Sequence, residues 1–212
     1  MIWAIILILV VGAFIIIGVS ASDKQKEMDK KRAGEIETVG NFPSNYKSII
    51  NPDKNAKLTL IDPEDKFVIH SFKQDGTLEE RIIPFSKIIQ AEVTIDDNTV
   101  TKVSKGSQIT GAVVGGLAAG SIGALVGGLS SNKTETKYFK KIDLKLKLDD
   151  FSSPIYRFDF LPSKDEFGLE NVKGFKQDDP KVKDALSNAE IWQGIMEIAI
   201  RKAIRKANQV AQ

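Results

Sequence analysis

Acid–base or metal chemistry in this chain would have to come from its one histidine, His70, and from three acidic pairs, Asp96 with Asp97, Asp149 with Asp150, and Asp178 with Asp179. A histidine can act as general base or metal ligand because it titrates near neutral pH. In the run Phe67-Val-Ile-His-Ser-Phe72, however, His70 shares a strand face with Val68 and Phe72, which is where a packed or edge-exposed side chain sits. The acidic pairs fall at expected turns, where aspartate is favoured by bonding to its own backbone. No second ligand type accompanies them, so no metal site is expected. Cysteine is absent, which removes disulfides, thiolate ligands, a cysteine nucleophile and bacterial-type lipidation together. The glycines do not form a nucleotide loop either, because no Gly-Lys-Ser/Thr pattern occurs. No catalytic residue, no metal ligand and no cofactor-binding residue is expected, and the chain reads as a non-enzyme.

What stands out instead is the stretch between Lys105 and Lys133, which carries no charged side chain. Gly111, Gly115, Ala119, Gly123 and Gly127 occupy one row at helical spacing, and Ala112, Gly116, Gly120, Ala124 and Gly128 occupy the next. Two adjacent rows of tiny residues make a flat face against which another backbone packs closely, the pattern of a glycine zipper. The expected helix-packing residues are therefore Gly111, Gly115, Gly116, Gly120, Gly123, Gly127 and Gly128. Three geometries compete for this insert, residues 106–130: a full span, a hairpin dipping into the membrane, or a buried hairpin. From Ile109 to Leu129 its seven glycines each cost up to about 1 kcal/mol of helix propensity. Its eight large aliphatics return only about 2–5 kcal/mol on insertion. Lysines flank it on both sides, at 102 and 105 and again at 133, 137, 140 and 141, which favours both flanks on one face of the bilayer. Two short helices meeting near Gly120 and Ser121 are the expectation.

A second apolar segment opens the chain. Met1 to Ser22 contains thirteen Ile, Leu, Val or Phe residues, about the length a helix needs to cross a hydrocarbon core. Insertion of these side chains is favourable by about 4–8 kcal/mol. A cleaved signal peptide is the rival reading, with Val19-Ser20-Ala21 as the small-residue site, but no Lys or Arg precedes the apolar run. Lys24, Lys26, Lys30, Lys31 and Arg32 crowd its carboxyl side and predict a single-pass anchor with a cytoplasmic body.

The elements between and after these segments alternate with period two. Leu58 to Ile61, Phe67 to Phe72, Leu78 to Ile83, Ile88 to Ile95 and Ile142 to Leu148 read as antiparallel strands, and Tyr156, Phe158 and Phe160 repeat the pattern. Asp75-Gly76 is a hairpin signal. Pro180 after Asp179 starts a terminal helix, Ser187 with Glu190 has capping-box spacing, and Ile191, Ile195 and Ile198 with Trp192, Met196, Ala199 and Ala203 give it a broad apolar face. The stripe Ile191, Ile195, Ile198 is expected to share one core with Ile142, Leu144, Leu146 and Leu148. A formal charge of +2 over 212 residues provides no global field for nucleic acid.

Strand runs followed by one amphipathic helix around Ala189-Glu-Ile-Trp192 resemble the bacterial pleckstrin-homology-like domains. Together with the anchor and the glycine-zipper insert, the chain resembles uncharacterised membrane-associated proteins of Gram-positive bacteria and their phages. The fold class that follows is α+β: an N-terminal transmembrane helix, then an antiparallel PH-like sheet or barrel with a C-terminal helix, interrupted by a glycine-zipper helical hairpin. The expected divisions are an anchor at 1–22, a basic juxtamembrane linker at 23–56, and a PH-like domain at 57–208 containing the insert 106–130. The expected function is membrane-anchored binding or assembly without catalysis, with an oligomerising factor that alters permeability or blocks a channel as the alternative. The expected partners are the lipid bilayer and, through the glycine-rich face, a second copy or another membrane protein.

Overall fold

The structure, a computed structural model of the chain, describes residues 23–40, 42–43, 46–73, 75–105, 138–165 and 168–210. Each period-two run became a strand, because alternation lets one face enter a core while the other meets water or a covering element. A first sheet joins β1 (Ser48–Ile50), β2 (Ala56–Ile61), β3 (Lys66–Phe72) and β4 (Leu78–Pro84) in chain order. The expected hairpin between β3 and β4 forms: the Lys73 amide bonds the Thr77 carbonyl, and Gly76 takes φ +85°, where a side chain would also strike Arg32.

A second sheet has the order β6-β5-β8-β9, with β5 spanning Ile88–Ile95, β6 Asn98–Ser104, β8 Ile142–Leu148 and β9 Ile155–Asp159. Short β7 (Tyr138–Phe139) pairs with β10 (Phe175–Lys176). Ile95 lies opposite Ile142, so β5 and β8 are the two arms of one hairpin whose connection is residues 96–141. Within that connection β6 doubles back along the free edge of β5 through a two-residue turn. Asp96 and Asp97 both adopt left-handed backbone there, at φ 48° and 65°. The chain thus leaves β6 beside Gln90, at one end of β5, and returns to β8 beside Ile95, at the other. Asp96 secures the return by accepting the amides of Lys140 and Lys141 at 2.8 and 2.9 Å.

The two sheets share one core, and α2 (Pro180–Val210) lies against β5, β8 and the turn at Phe85–Lys87. Its first turn is capped by Asp179, whose carboxylate accepts the Lys181 amide, while Ser187 and Glu190 fall inside the helix and cap nothing. The buried face is Val182, Ala185, Leu186, Ala189, Trp192, Met196, Ala199 and Ile200. This rotates the expected stripe: Ile191 and Ile198 are 43% and 56% exposed, and only Ile195 of the three packs against the core. The row that enters the core is the adjacent one with Trp192, Met196 and Ala199, the Trp192 ring centroid lying 6.4 Å from that of Phe67.

The expected N-terminal transmembrane helix is corrected. Among the described residues no helix is long and apolar enough to cross a membrane. The first described helix, α1 (23–38), is instead rich in charge, with Asp23, Lys24, Lys26, Glu27, Asp29, Lys30, Lys31 and Arg32. It stands where a basic linker was expected. The apolar run Met1 to Ser22 and the helix-packing residues Gly111, Gly115, Gly116, Gly120, Gly123, Gly127 and Gly128, with the expected helical hairpin around them, lie outside the described residues.

Candidate functional site

α1 covers the outer face of the first sheet. Lys57, His70 and Glu80 are directly opposite one another on β2, β3 and β4, and alternation turns all three away from the core. Ile36 of α1 is fully buried, and the Lys57 ammonium donates to the Val39 carbonyl at 2.9 Å, satisfying the negative end of the helix. Gly40 follows at φ +56°, and a side chain there would strike Phe42 and His70. His70 is enclosed, with Nε2 3.0 Å from the Glu80 carboxylate and the Phe42 ring beside it. It is a packed histidine in a line of charges.

Of the expected membrane-proximal basic residues, Arg32 lies over the Phe72 ring at 5.6 Å and Lys31 is 4.0 Å from Glu35. Lys24, Lys26 and Lys30 are exposed on α1. At the other terminus, Lys202 and Lys206 converge on Asp65, whose carboxyl the Lys202 ammonium, then that of Lys206, holds below its ordinary range. The basic end of α2 is thus partly occupied by ion pairs.

The outer face of the second sheet carries a polar network. Fully buried Asp143 accepts from Arg157 at 2.7 Å and from Thr94, while Glu92 pairs with Lys145 at 3.1 Å. Beside them Asp159 is half-buried, and burial pushes its carboxyl above the ordinary value of 3.8. A carboxyl raised in the folded state opposes folding wherever the unfolded chain is ionised. That penalty is present at neutral pH and disappears as pH falls through the folded value toward 3.8. Asp159→Asn is therefore expected to raise the melting temperature at neutral pH, with a gain that shrinks on acidification. A lower melting temperature at neutral pH would mean that the Lys141 contact at 3.9 Å dominates. Among the described residues no group of three or more His, Cys, Asp or Glu is arranged to hold a metal.

A third region lies where the charge-free stretch departs. The β8–β9 turn, the turn Phe85–Lys87, the start of β5 and the end of β6 meet there. The Lys105 amide bonds the Ile89 carbonyl, its ammonium donates to Ser86 O, and the Asp149 amide bonds Lys87 O at 2.8 Å. Arg81 reaches from β4 to hold the β8–β9 turn, donating to Asp150 Oδ2, Ser153 Oγ and Ser153 O between 2.7 and 2.9 Å. Phe151 projects fully exposed from the tip of this braced turn. Sequence reasoning passed over it because Asp149-Asp150 and Ser152-Ser153-Pro154 mark a turn. The overlooked signal was the large aromatic in the middle of turn residues.

Residues 41–162, more than half of the chain, match the family model described as a glycine zipper containing PH domain. The chain is 36% identical over 193 residues to a protein of Bacillus subtilis strain 168 named as an SPbeta prophage-derived uncharacterized membrane protein, covering 89% of this chain and 79% of that one. It is also 36% identical over 192 residues to a protein of Bacillus phage SPbeta named immunity protein, covering 88% of this chain and 89% of that one. No solved structure matches. None of these descriptions indicates an enzyme. Two antiparallel sheets around one core, a terminal helix against them and a glycine-rich stretch inserted between β6 and β7 agree with the sequence match, and the chain belongs to the family of glycine-zipper-containing PH domains.

Proposed function

We propose that the chain is a membrane-associated binding protein that confers phage-type immunity without catalysis, its PH-like domain presenting the glycine-rich stretch to the bilayer or to the transmembrane helices of a partner. The observation that carries this reading is the way a charge-free stretch is inserted into the β5–β8 hairpin. One side is tied by Lys105 to Ser86 and Ile89, the other by Asp96 to Lys140 and Lys141. A stretch so held is carried by a rigid sheet, and its small residues suit close helix packing in lipid. The relative named immunity protein, aligned over nearly the whole of both chains, supports the immunity role.

The test is expression of the full chain in Bacillus subtilis cured of SPbeta. The protein is expected to sediment with membranes, leave the membrane potential unchanged and reduce plating of phage SPbeta. Gly115→Ile combined with Gly120→Ile is expected to abolish protection while membrane association persists, and Leu117→Ile is expected to retain it. Collapse of the potential on expression would replace this reading with a permeability-altering factor. Membrane association with unchanged plating would remove the immunity role.

A further inference from the structure

The end of the domain that carries Phe151 has the composition of a surface built to sit on anionic lipid. Phe151 is 105% exposed, as open as a side chain can be, yet the turn beneath it is braced by hydrogen bonds. Three bonds from Arg81 fix it from the opposite sheet, the Leu148 amide closes it on Pro154 O at 2.8 Å, and the Ser152 amide bonds Asp150 at 2.9 Å. A solvated loop has no need of such bracing to hold an aromatic ring in water, where exposure of its apolar surface is unfavourable. The neighbours of the ring extend the pattern. A β-bulge between Ile88 and Gln90 turns Ile89 outward, and Ile155, paired across from Lys147, is 42% exposed.

The charges at this end are mainly positive. Arg81 and Lys87 pair with the two carboxylates of the turn, Asp150 and Asp149, at 2.9 and 3.3 Å, while Lys105 bonds Ile89 and Ser86 and Lys147 is in register with Gln90 and Ile155. The charge-free stretch begins immediately after Lys105, so the chain enters it from this same end. An exposed aromatic wedge, flanking aliphatics, a cationic rim and the departure of an apolar stretch coincide on one edge of the sandwich. We infer that this edge, formed by the β8–β9 turn with Ile89, Lys87, Lys105 and Lys147, is the face of the domain that docks on an anionic bilayer, with Phe151 entering the headgroup layer. The inference rests on the membrane association proposed above and deepens it by naming the contacting edge and the lipid charge it selects.

Because the chain has no cysteine, the full-length protein accepts a single reporter. Phe151→Cys and, as a control on the β3–β4 turn at the far end of β3, Thr77→Cys are labelled with an environment-sensitive nitrobenzoxadiazole dye. Each is reconstituted into vesicles of phosphatidylcholine alone or of phosphatidylcholine with phosphatidylglycerol. The dye at position 151 is expected to shift to the blue and brighten severalfold in vesicles containing phosphatidylglycerol, while the dye at position 77 does not change. Lys87→Gln and Lys147→Gln are each expected to reduce the docking equilibrium about fivefold, the factor corresponding to about 1 kcal/mol per basic residue near an anionic surface. A protein that associates with the vesicles while the dye at 151 stays in water overturns the docking edge and leaves membrane association standing. Failure to associate with either vesicle overturns both. A blue shift that fades as protein is diluted in lipid overturns the inference in favour of a contact between two copies through Phe151.

Discussion

Replacing Trp192 with alanine is expected to lower the unfolding free energy by about 3–5 kcal/mol, the range for removing a large aromatic from a packed interior. Trp192 is 1% exposed, its ring centroid lies 6.4 Å from that of Phe67 in the first sheet, and it sits on the helix that packs against β5 and β8 in the second. Its small neighbours Ala185, Ala189 and Ala199 let the helix approach the sheets but cannot move to refill the space. Domains of this size are stable by about 5–15 kcal/mol, so the loss is a large share of the whole. Thermal unfolding of the full chain followed by far-UV circular dichroism measures it. Ile198→Gln, on the exposed face of the same helix, is the control and is expected to change stability by no more than about 0.5 kcal/mol. Equal melting of the Trp192→Ala and unmodified proteins would mean that α2 does not close the core.

The second large effect belongs to Arg157. Asp143 is 0% exposed although it lies on the outer face of β8, and its carboxylate is held by Arg157 at 2.7 Å and by the Thr94 hydroxyl. Arg157→Met removes the counter-charge and leaves a buried carboxylate with one neutral donor, which is expected to cost about 3–5 kcal/mol. Replacing both partners removes the uncompensated charge as well, so Arg157→Met combined with Asp143→Leu is expected to recover most of the loss. A double-mutant cycle by denaturant unfolding reads the difference. If the double substitution is as damaging as the sum of the single ones, Asp143 is needed for something other than its pairing with Arg157.

Much of the strand content was legible because it is a local property. The run Ile142 to Leu148 puts Leu144, Leu146 and Leu148 inside and Lys145 and Lys147 outside with no reference to any partner, and β5 was bounded at Ile88 and Ile95 by the same alternation. Strand β6 was missed, although Asp96-Asp97 before it is a turn signal. Its residues Asn98-Thr-Val-Thr-Lys-Val-Ser104 are mostly polar, with only Val100 and Val103 apolar, and no period-two apolar row marks it before pairing with β5. Helix α1 was missed because Lys24 to Arg32 read as a solvated basic run. Its docking depends on Ile36, Arg32 and the Lys57 contact, which are residues of different elements. Of the site residues, the exposed lysines of α1 were named from sequence, whereas Phe151 carried weight only once its turn was seen braced by Arg81, 72 residues away from Ser153 in the chain.

The sequence by itself determined which segments alternate, where Asp75-Gly76 and Asp179-Pro180 break them, that no thiol chemistry exists, and that one stretch between Lys105 and Lys133 is free of charge. These follow from side-chain period, backbone allowance and composition, each readable within a few residues. Only the tertiary structure decided that β6 returns along β5, so that β6 ends beside Gln90 while β8 begins beside Ile95 at the other end of β5. It alone decided that Trp192 and not Ile191 faces the core, and that Asp143 is buried on what alternation marks as an outer face. Strand partners, the rotation of the helix about its axis and the burial of a charge are set by contacts between residues far apart in the chain, where shape and pairing energies decide among alternatives that local pattern leaves equal.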